Sequence, residues 1–162
     1  MSMTGGCYCG AVRYESTGDV QNSIQCHCRE CQYITGGSPN LIIIVPEDGF
    51  SFTKGTPSKF ARPDLKAPVT RFFCNKCGTG IGTESPARPG SMIIKVGTLD
   101  DPSGFKSQAA IFTKDKQSYH HIEEEYDELI GKLQSKRLFY EEFDLPSEIS
   151  REVSVRSKLD FL

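Results

Sequence analysis

The chain has 162 residues, 19 of them basic and 21 acidic, for a formal net charge of -2 and a pI near 5.9. That length suits one ordinary domain with a core of its own. A balance so close to neutral argues against the basic surface that grips nucleic-acid phosphates. No apolar run is long enough to span a bilayer, so neither a nucleic acid nor a membrane is expected as a partner.

At the N-terminus, "MSMTGGCYCG" has neither the basic end nor the apolar stretch of a signal peptide. The expected location is a reducing compartment, the cytoplasm, where cysteines serve metals or thiol chemistry more than disulfides. Residues 4 to 113 read as short strands separated by Gly, Pro and Asp. "AVRYES" alternates apolar and polar residues. "CHCRECQYITGG" reads as a short turn crowded with thiols. "NLIIIVP" has the composition of a buried strand, stopped by Pro46. "FSFTKG", "SKFAR", "VTRFF", "TGIGTE", "SMIIKVG" and "SQAAIFT" continue the pattern, and "EDGF" and "ARPGS" fit hairpin turns. The period changes at Ile122. In "IEEEYDELIGKLQSKRLFYEEF", Ile122, Tyr126, Leu129, Ile130 and Leu133 recur at helical spacing, with acidic residues ahead of basic ones. The last stretch, "DLPSEISREVSVRSKLDFL", is polar and broken by Pro146, and reads as a tail or as the arm of a homodimer. The expected organisation is a mainly β domain over 4–122 and a C-terminal helix with its tail over 123–162.

Seven cysteines carry the chemistry. They fall as C-x-C (Cys7, Cys9), C-x-C-x-x-C (Cys26, Cys28, Cys31) and C-x-x-C (Cys74, Cys77). Zinc favours tetrahedral thiolate sites whose ligands arrive in close pairs on tight turns. Glycine follows Cys9 and Cys77, and lets the chain turn so that backbone N–H groups face the sulfurs. Three thiols within six residues can converge on one ion, whereas dividing them would strain a short turn. Cys7, Cys9, Cys74 and Cys77 then form a closed four-thiolate site, which is structural. Cys26, Cys28 and Cys31 form a three-thiolate site with one position open, the pattern of a catalytic zinc. The count is two zinc ions per chain, one structural and one catalytic. The triplet also fits a second structural site closed by an outside donor, or a redox pair, although no thioredoxin-like βαβ unit surrounds it. His27 is a poor fourth ligand, because neighbours on an extended chain point to opposite faces.

"GGCYCGAVRYE", "CHCRECQYITGG" and "FFCNKCGTGIGTES" resemble, in order and spacing, the three cysteine motifs of the glutathione-dependent formaldehyde-activating enzyme (Gfa) family. The resemblance runs from about Gly5 to Ile122. It implies a β-tent, with antiparallel sheets joined around a structural zinc. By matching motifs it implies Cys7, Cys9, Cys74 and Cys77 as structural ligands, and Cys26, Cys28 and Cys31 as holders of the catalytic zinc. It implies a carbon–sulfur lyase reaction in which glutathione and formaldehyde give S-hydroxymethylglutathione.

The residues support compatible chemistry. Three thiolates leave a zinc site formally at -1, a weak activator of water but a good host for one more soft ligand, a small-molecule thiol. A thiol so held can add to an aldehyde. Proton transfer has candidates in His27, His120, His121, Tyr119 and Glu30, none singled out by its context. "TGGSP" offers backbone N–H groups to a carboxylate, or a plain turn. The rival readings are a non-catalytic, zinc-stabilised interaction module and a carrier of the thiol or its adduct.

Overall fold

The computed structural model describes residues 2–122. The chain divides into two units, Met1–Ser118 and Tyr119–Leu162. The first holds ten strands and one α-helix in two sheets. In chain order these are β1 (Met3–Gly6), β2 (Arg13–Ser16), β3 (Asn22–Cys26), α1 (Arg29–Thr35), β4 (Asn40–Pro46), β5 (Phe50–Lys54), β6 (Ser58–Phe60), β7 (Thr70–Phe73), β8 (Gly80–Glu84), β9 (Ser91–Lys95) and β10 (Ala109–Ile111). The smaller sheet has the order β1-β2-β5; the larger has the order β10-β3-β4-β9-β8-β7-β6. Every pairing is antiparallel except β10 with β3. The expected mainly β fold of antiparallel sheets is thus the one found. The predicted helix after His121 lies outside the described residues.

β4 explains why the larger sheet has two buried faces. Its run of Ile42, Ile43, Ile44 and Val45 is buried at every position. Alternate side chains of a strand point to opposite faces. Ile43 and Val45 join Val12, Tyr14, Phe72, Ile81, Met92, Ile94 and Val96 in the main core. Phe50 and Phe52 of β5 pack on that core, and their rings link Tyr14 to Phe72 across the two sheets. Ile42 and Ile44 instead join Ile24 in a second cluster, against which Ile93 and Ile111 pack.

The strands expected from "AVRYES" through "SQAAIFT" are all present, shortened to their hydrogen-bonded parts. "ARPGS" is a hairpin turn between β8 and β9, with Gly90 at φ 74°. "EDGF" is not a hairpin. Glu47–Gly49 forms a single 3-10 turn, and the strands on either side belong to different sheets. The chain crosses from one layer to the other there. β1, β3 and α1 go beyond the sequence reading. α1 begins where the thiol of Cys28, rather than a hydroxyl or carboxylate, accepts the N–H of Cys31, so the usual capping residue is absent. It ends at Gly36, whose φ of 74° is left-handed.

β1 sits close to the core. Gly5 bridges Leu99, and a Cβ on Gly5 would lie 2.2 Å from Tyr14 Oη and 2.3 Å from the carbonyl oxygen of Thr98. Gly5→Ala should therefore cost about 2 kcal/mol or more in urea unfolding, because neither neighbour can retreat from a packed core. Tyr14 gives a pH-dependent check. Burial pushes its phenol up to about 12, partly offset by its hydrogen bond with Thr98. Above pH 10 the unfolded chain loses this proton while the folded chain keeps it, so stability falls as pH rises towards 12. Tyr14→Phe should flatten that part of the stability profile.

Candidate metal centres

The turn between β1 and β2 carries Cys7 and Cys9, and the turn between β7 and β8 carries Cys74 and Cys77. The two turns are built alike. Gly10 donates its N–H to the Cys7 carbonyl at 3.0 Å, and Gly78 to the Cys74 carbonyl at 2.8 Å. Gly10 has φ 69° and Gly78 φ 74°, the left-handed conformation that glycine adopts without strain. Val12 N–H reaches Cys7 Sγ at 3.2 Å. The Thr79 hydroxyl lies 3.2 Å from Cys77 Sγ and accepts the Tyr8 N–H, which ties one turn to the other. All four sulfurs lie within 4.8 Å of one another, with Cys7–Cys9 at 3.6 Å and Cys9–Cys74 at 3.8 Å.

The triplet is assembled differently. Cys26 ends β3, Cys28 caps α1, and Cys31 lies in its first turn. Cys26 Sγ is 3.5 Å from Cys28 Sγ, and the Cys31 N–H reaches Cys28 Sγ at 3.3 Å. The three sulfurs also lie within 4.8 Å of one another. Among the described residues no His, Asp, Glu or further Cys joins them. His27 is fully buried, its backbone N–H bonded to the Ile111 carbonyl, and it is not part of the sulfur cluster.

These spacings suit a cation. A tetrahedral site with Zn–S bonds of about 2.3 Å has sulfurs about 3.8 Å apart along each edge. The measured separations are close to that edge in both clusters. In the triplet, contacts from Cys26 and Cys28 pull the Cys31 thiol down to about 3, with Asn40 and Lys95 assisting, and burial opposes them. Cys26 is pushed far up by its contacts with Cys28 and Cys31 and by burial. Cys28 rises to about 11; the Cys26 contact lowers it, but Cys31 and burial outweigh that. The three titrate as one group, and a cation that takes all three sulfurs must displace their remaining protons. In the four-thiol cluster, the Thr79 hydroxyl and amide draw Cys77 down to about 6.

Three polar residues around the triplet escaped the sequence reading. Asn40 Nδ2 lies 3.7 Å from Cys31 Sγ, and Asn40 Oδ1 accepts a 3.0 Å bond from Lys95 Nζ. Arg71 pairs with Glu30 at 2.7 Å, so Glu30 anchors α1 to β7 as well as facing solvent. The period of β9 held a clue to Lys95: it follows Ser91 and Ile93 on one face of the strand, yet is only half exposed. Asn40 and Arg71 left none. The glycines of "TGGSP" close the helix, since Gly36 and Gly37 both donate their N–H groups to the Gln32 carbonyl. Those two amides are taken, and a carboxylate would have to look elsewhere. Tyr119, His120 and His121 belong to the second unit, where the rings of Tyr119 and His120 meet edge-on at 4.9 Å.

Residues 2–115 match the family model described as glutathione-dependent formaldehyde-activating enzyme. The chain belongs to that family. A similar Emericella nidulans protein, provisionally named a glutathione-dependent formaldehyde-activating enzyme, is 32% identical over 74 residues. That match covers 44% of this chain and 37% of the relative, so the chain spans well under half of the relative's length. The crystal structure of a Rhodobacter sphaeroides protein is similar with a TM-score of 0.51 and 19% identity, over 64% of this chain and 91% of that one. At that identity the likeness is one of fold. Both thiol clusters lie within the span matched by the Gfa family. Among the described residues, no helix is long and apolar enough to cross a membrane.

The two clusters should respond differently to loss of a sulfur. Cys74 is fully buried in the main core and its cluster joins two distant turns. Cys74→Ser should lower the melting temperature by 10 °C or more, on the order of 2 to 4 kcal/mol for a domain of this size. Cys28→Ser should lower it by less than half as much while reducing bound metal. Calorimetry with elemental analysis on both variants makes the comparison.

Proposed function

We propose that the chain is a zinc-dependent carbon–sulfur lyase, joining glutathione to formaldehyde as S-hydroxymethylglutathione or reversing that reaction. The observation that carries this reading is the three-sulfur cluster to which no fourth His, Asp, Glu or Cys donor is added among the described residues. The four-sulfur cluster supports a closed, structural zinc, and the triplet a second, catalytic one, two per chain. Membership of the Gfa family supports glutathione and formaldehyde as substrates.

A zinc ion held by three thiolates would accept one more soft donor and lower the pKa of a thiol bound there. Cys26, Cys28 and Cys31 would hold that ion, and three donors would leave a fourth position for the substrate sulfur. β3 fixes Cys26, the start of α1 fixes Cys28 and Cys31, and Asn40 further steadies Cys31. The positive charge of Lys95 offsets the negative charge that three thiolates concentrate on this face. In the forward direction the substrate thiol gives up its proton, and its sulfur attacks the carbonyl carbon. The C–S bond forms, the carbonyl π pair moves to oxygen, and that oxygen takes a proton to become the hydroxyl. Reversal breaks the same C–S bond and returns free thiol and aldehyde. The cytoplasm, where glutathione is abundant and thiols stay reduced, suits such a reaction.

Cobalt in place of zinc gives the test. Glutathione should intensify the sulfur-to-cobalt charge-transfer band of the protein, release a proton, and lose this effect in Cys31→Ser. Formaldehyde added next should disappear faster than in a protein-free control containing the same thiol. A cobalt spectrum that ignores glutathione and other small thiols would mean the open position is closed, and would favour the interaction-module reading.

A further inference from the structure

Two cations lie on the face of the larger sheet that carries the triplet, and balancing the thiolates leaves their spare donors unexplained. Lys95 ends β9 and Arg71 lies on β7, with β8 between them. In register, Arg71 stands opposite Thr83 and Thr83 opposite Ile93, which shares a face with Lys95. Both cations are largely withdrawn from water. The Arg71 side chain is only 15% exposed, and Lys95 is half-buried. Burying two like charges near each other is unfavourable, and Arg71 is among the charges felt at Lys95.

Their partners do not use all their donors. Lys95 has three N–H groups, and Asn40 takes one. Arg71 gives one nitrogen to Glu30, while its buried Nε has no acceptor among the described residues. A buried guanidinium N–H without a partner is rare, and calls for an acceptor the protein itself does not supply. β8 lets Lys95 lie close against it. Gly80 has no side chain, and a Cβ there would sit 3.1 Å from Lys95 Cε. Through Asn40, Lys95 is also within two hydrogen-bond contacts of Cys31 Sγ.

We infer that Lys95 and Arg71 form the subsite for a carboxylate of the substrate thiol, next to the triplet that receives its sulfur. This rests on the proposed function, and names the part of the substrate that the sheet would recognise. A planar carboxylate can take an ammonium hydrogen from Lys95 on one oxygen and the Nε–H of Arg71 on the other. Asn40 holds Lys95 so that its remaining hydrogens stay available. Formaldehyde has no charge for such a site to grip, so discrimination falls on the thiol partner.

The test compares glutathione with its diethyl ester, which keeps the thiol and loses both carboxylates. Binding to the zinc-loaded full chain is measured by isothermal titration calorimetry, with turnover measured separately. Wild-type protein should bind glutathione at least about tenfold more tightly than the diester, a difference of about 1.4 kcal/mol. Lys95→Met should bring glutathione to within about twofold of the diester, weakening glutathione far more than the diester. Lys95→Arg should restore much of the preference, and Arg71→Gln should remove part of it. Circular dichroism on each variant establishes that it is folded; should Lys95→Met not fold, Lys95→Gln makes the same comparison. A diester that binds wild type as tightly as glutathione overturns the subsite and leaves the proposed function standing. So does a Lys95→Met that weakens both ligands equally, because Lys95 then acts on the triplet alone and not on the carboxylate. If neither ligand binds wild type, the proposed function falls and the subsite with it.

Discussion

Cys9 and Cys74 are 65 positions apart in sequence, and their sulfurs meet at 3.8 Å. One turn belongs to the three-stranded sheet and the other to the seven-stranded sheet. Most strands here are three to five residues long, too short to hold two layers together by hydrogen bonds alone. Cys7 and Cys74 are also members of the main hydrophobic core, beside Tyr14, Phe72 and Ile81. The sulfur clasp and the apolar packing therefore share side chains, and each fixes the position of the other. With a cation held there, its binding energy becomes folding energy. The larger sheet, whose strands β3 and β4 position the triplet, is tied to the smaller one at that clasp.

The same residue type serves two ends because its surroundings differ. In the four-thiol cluster, matching turns face each other and bring four sulfurs within 4.8 Å of one another, the donor count of a closed site. In the triplet, one strand end and one helix start supply three sulfurs, and the polar neighbour Asn40 contacts Cys31 Sγ without adding a fourth thiol. The difference is one of donor count first and of electrostatics second. Four thiolates around a divalent cation are formally at -2, and Cys9 and Cys77 lie at the surface where water screens that charge. Three thiolates are formally at -1, more deeply placed, and faced by Lys95 through Asn40.

Much of this was legible in the sequence because cysteine spacing and strand periodicity are local properties. The pairs Cys7/Cys9 and Cys74/Cys77 announce their turns through the glycine that follows each, and the division into four and three thiols matches the clusters found. "NLIIIVP" reads as a strand buried on both faces because a continuous apolar run has no other use. The failures come from long-range choices. "EDGF" has the composition of a hairpin turn, but whether the next strand folds back or crosses to another sheet depends on partners far away in sequence. α1 escaped because its cap is a thiol, which serves metal and helix at once and carries no usual capping signature. Asn40, Lys95 and Arg71 were invisible as a group, since three separate strands bring them to the same face.

The arrangement of charge bears on how such an enzyme would choose its substrate. An aldehyde as small as formaldehyde offers almost no surface, so binding energy must come from the other reactant and from parts of it remote from the reacting sulfur. That reactant is an anion if it is glutathione, and a three-thiolate site alone would repel it. A cation placed beyond the sulfurs changes the sign of the field along the approach without neutralising the ligands themselves. Lys95 suits that task because it is held by a neutral amide. A carboxylate partner within the protein would cancel its charge, as Glu30 partly does for Arg71. An asparagine in that position leaves the ammonium charged and directional, and at the same time steadies the third sulfur. One amide thereby couples the geometry of the thiolates to the charge that faces the incoming ligand.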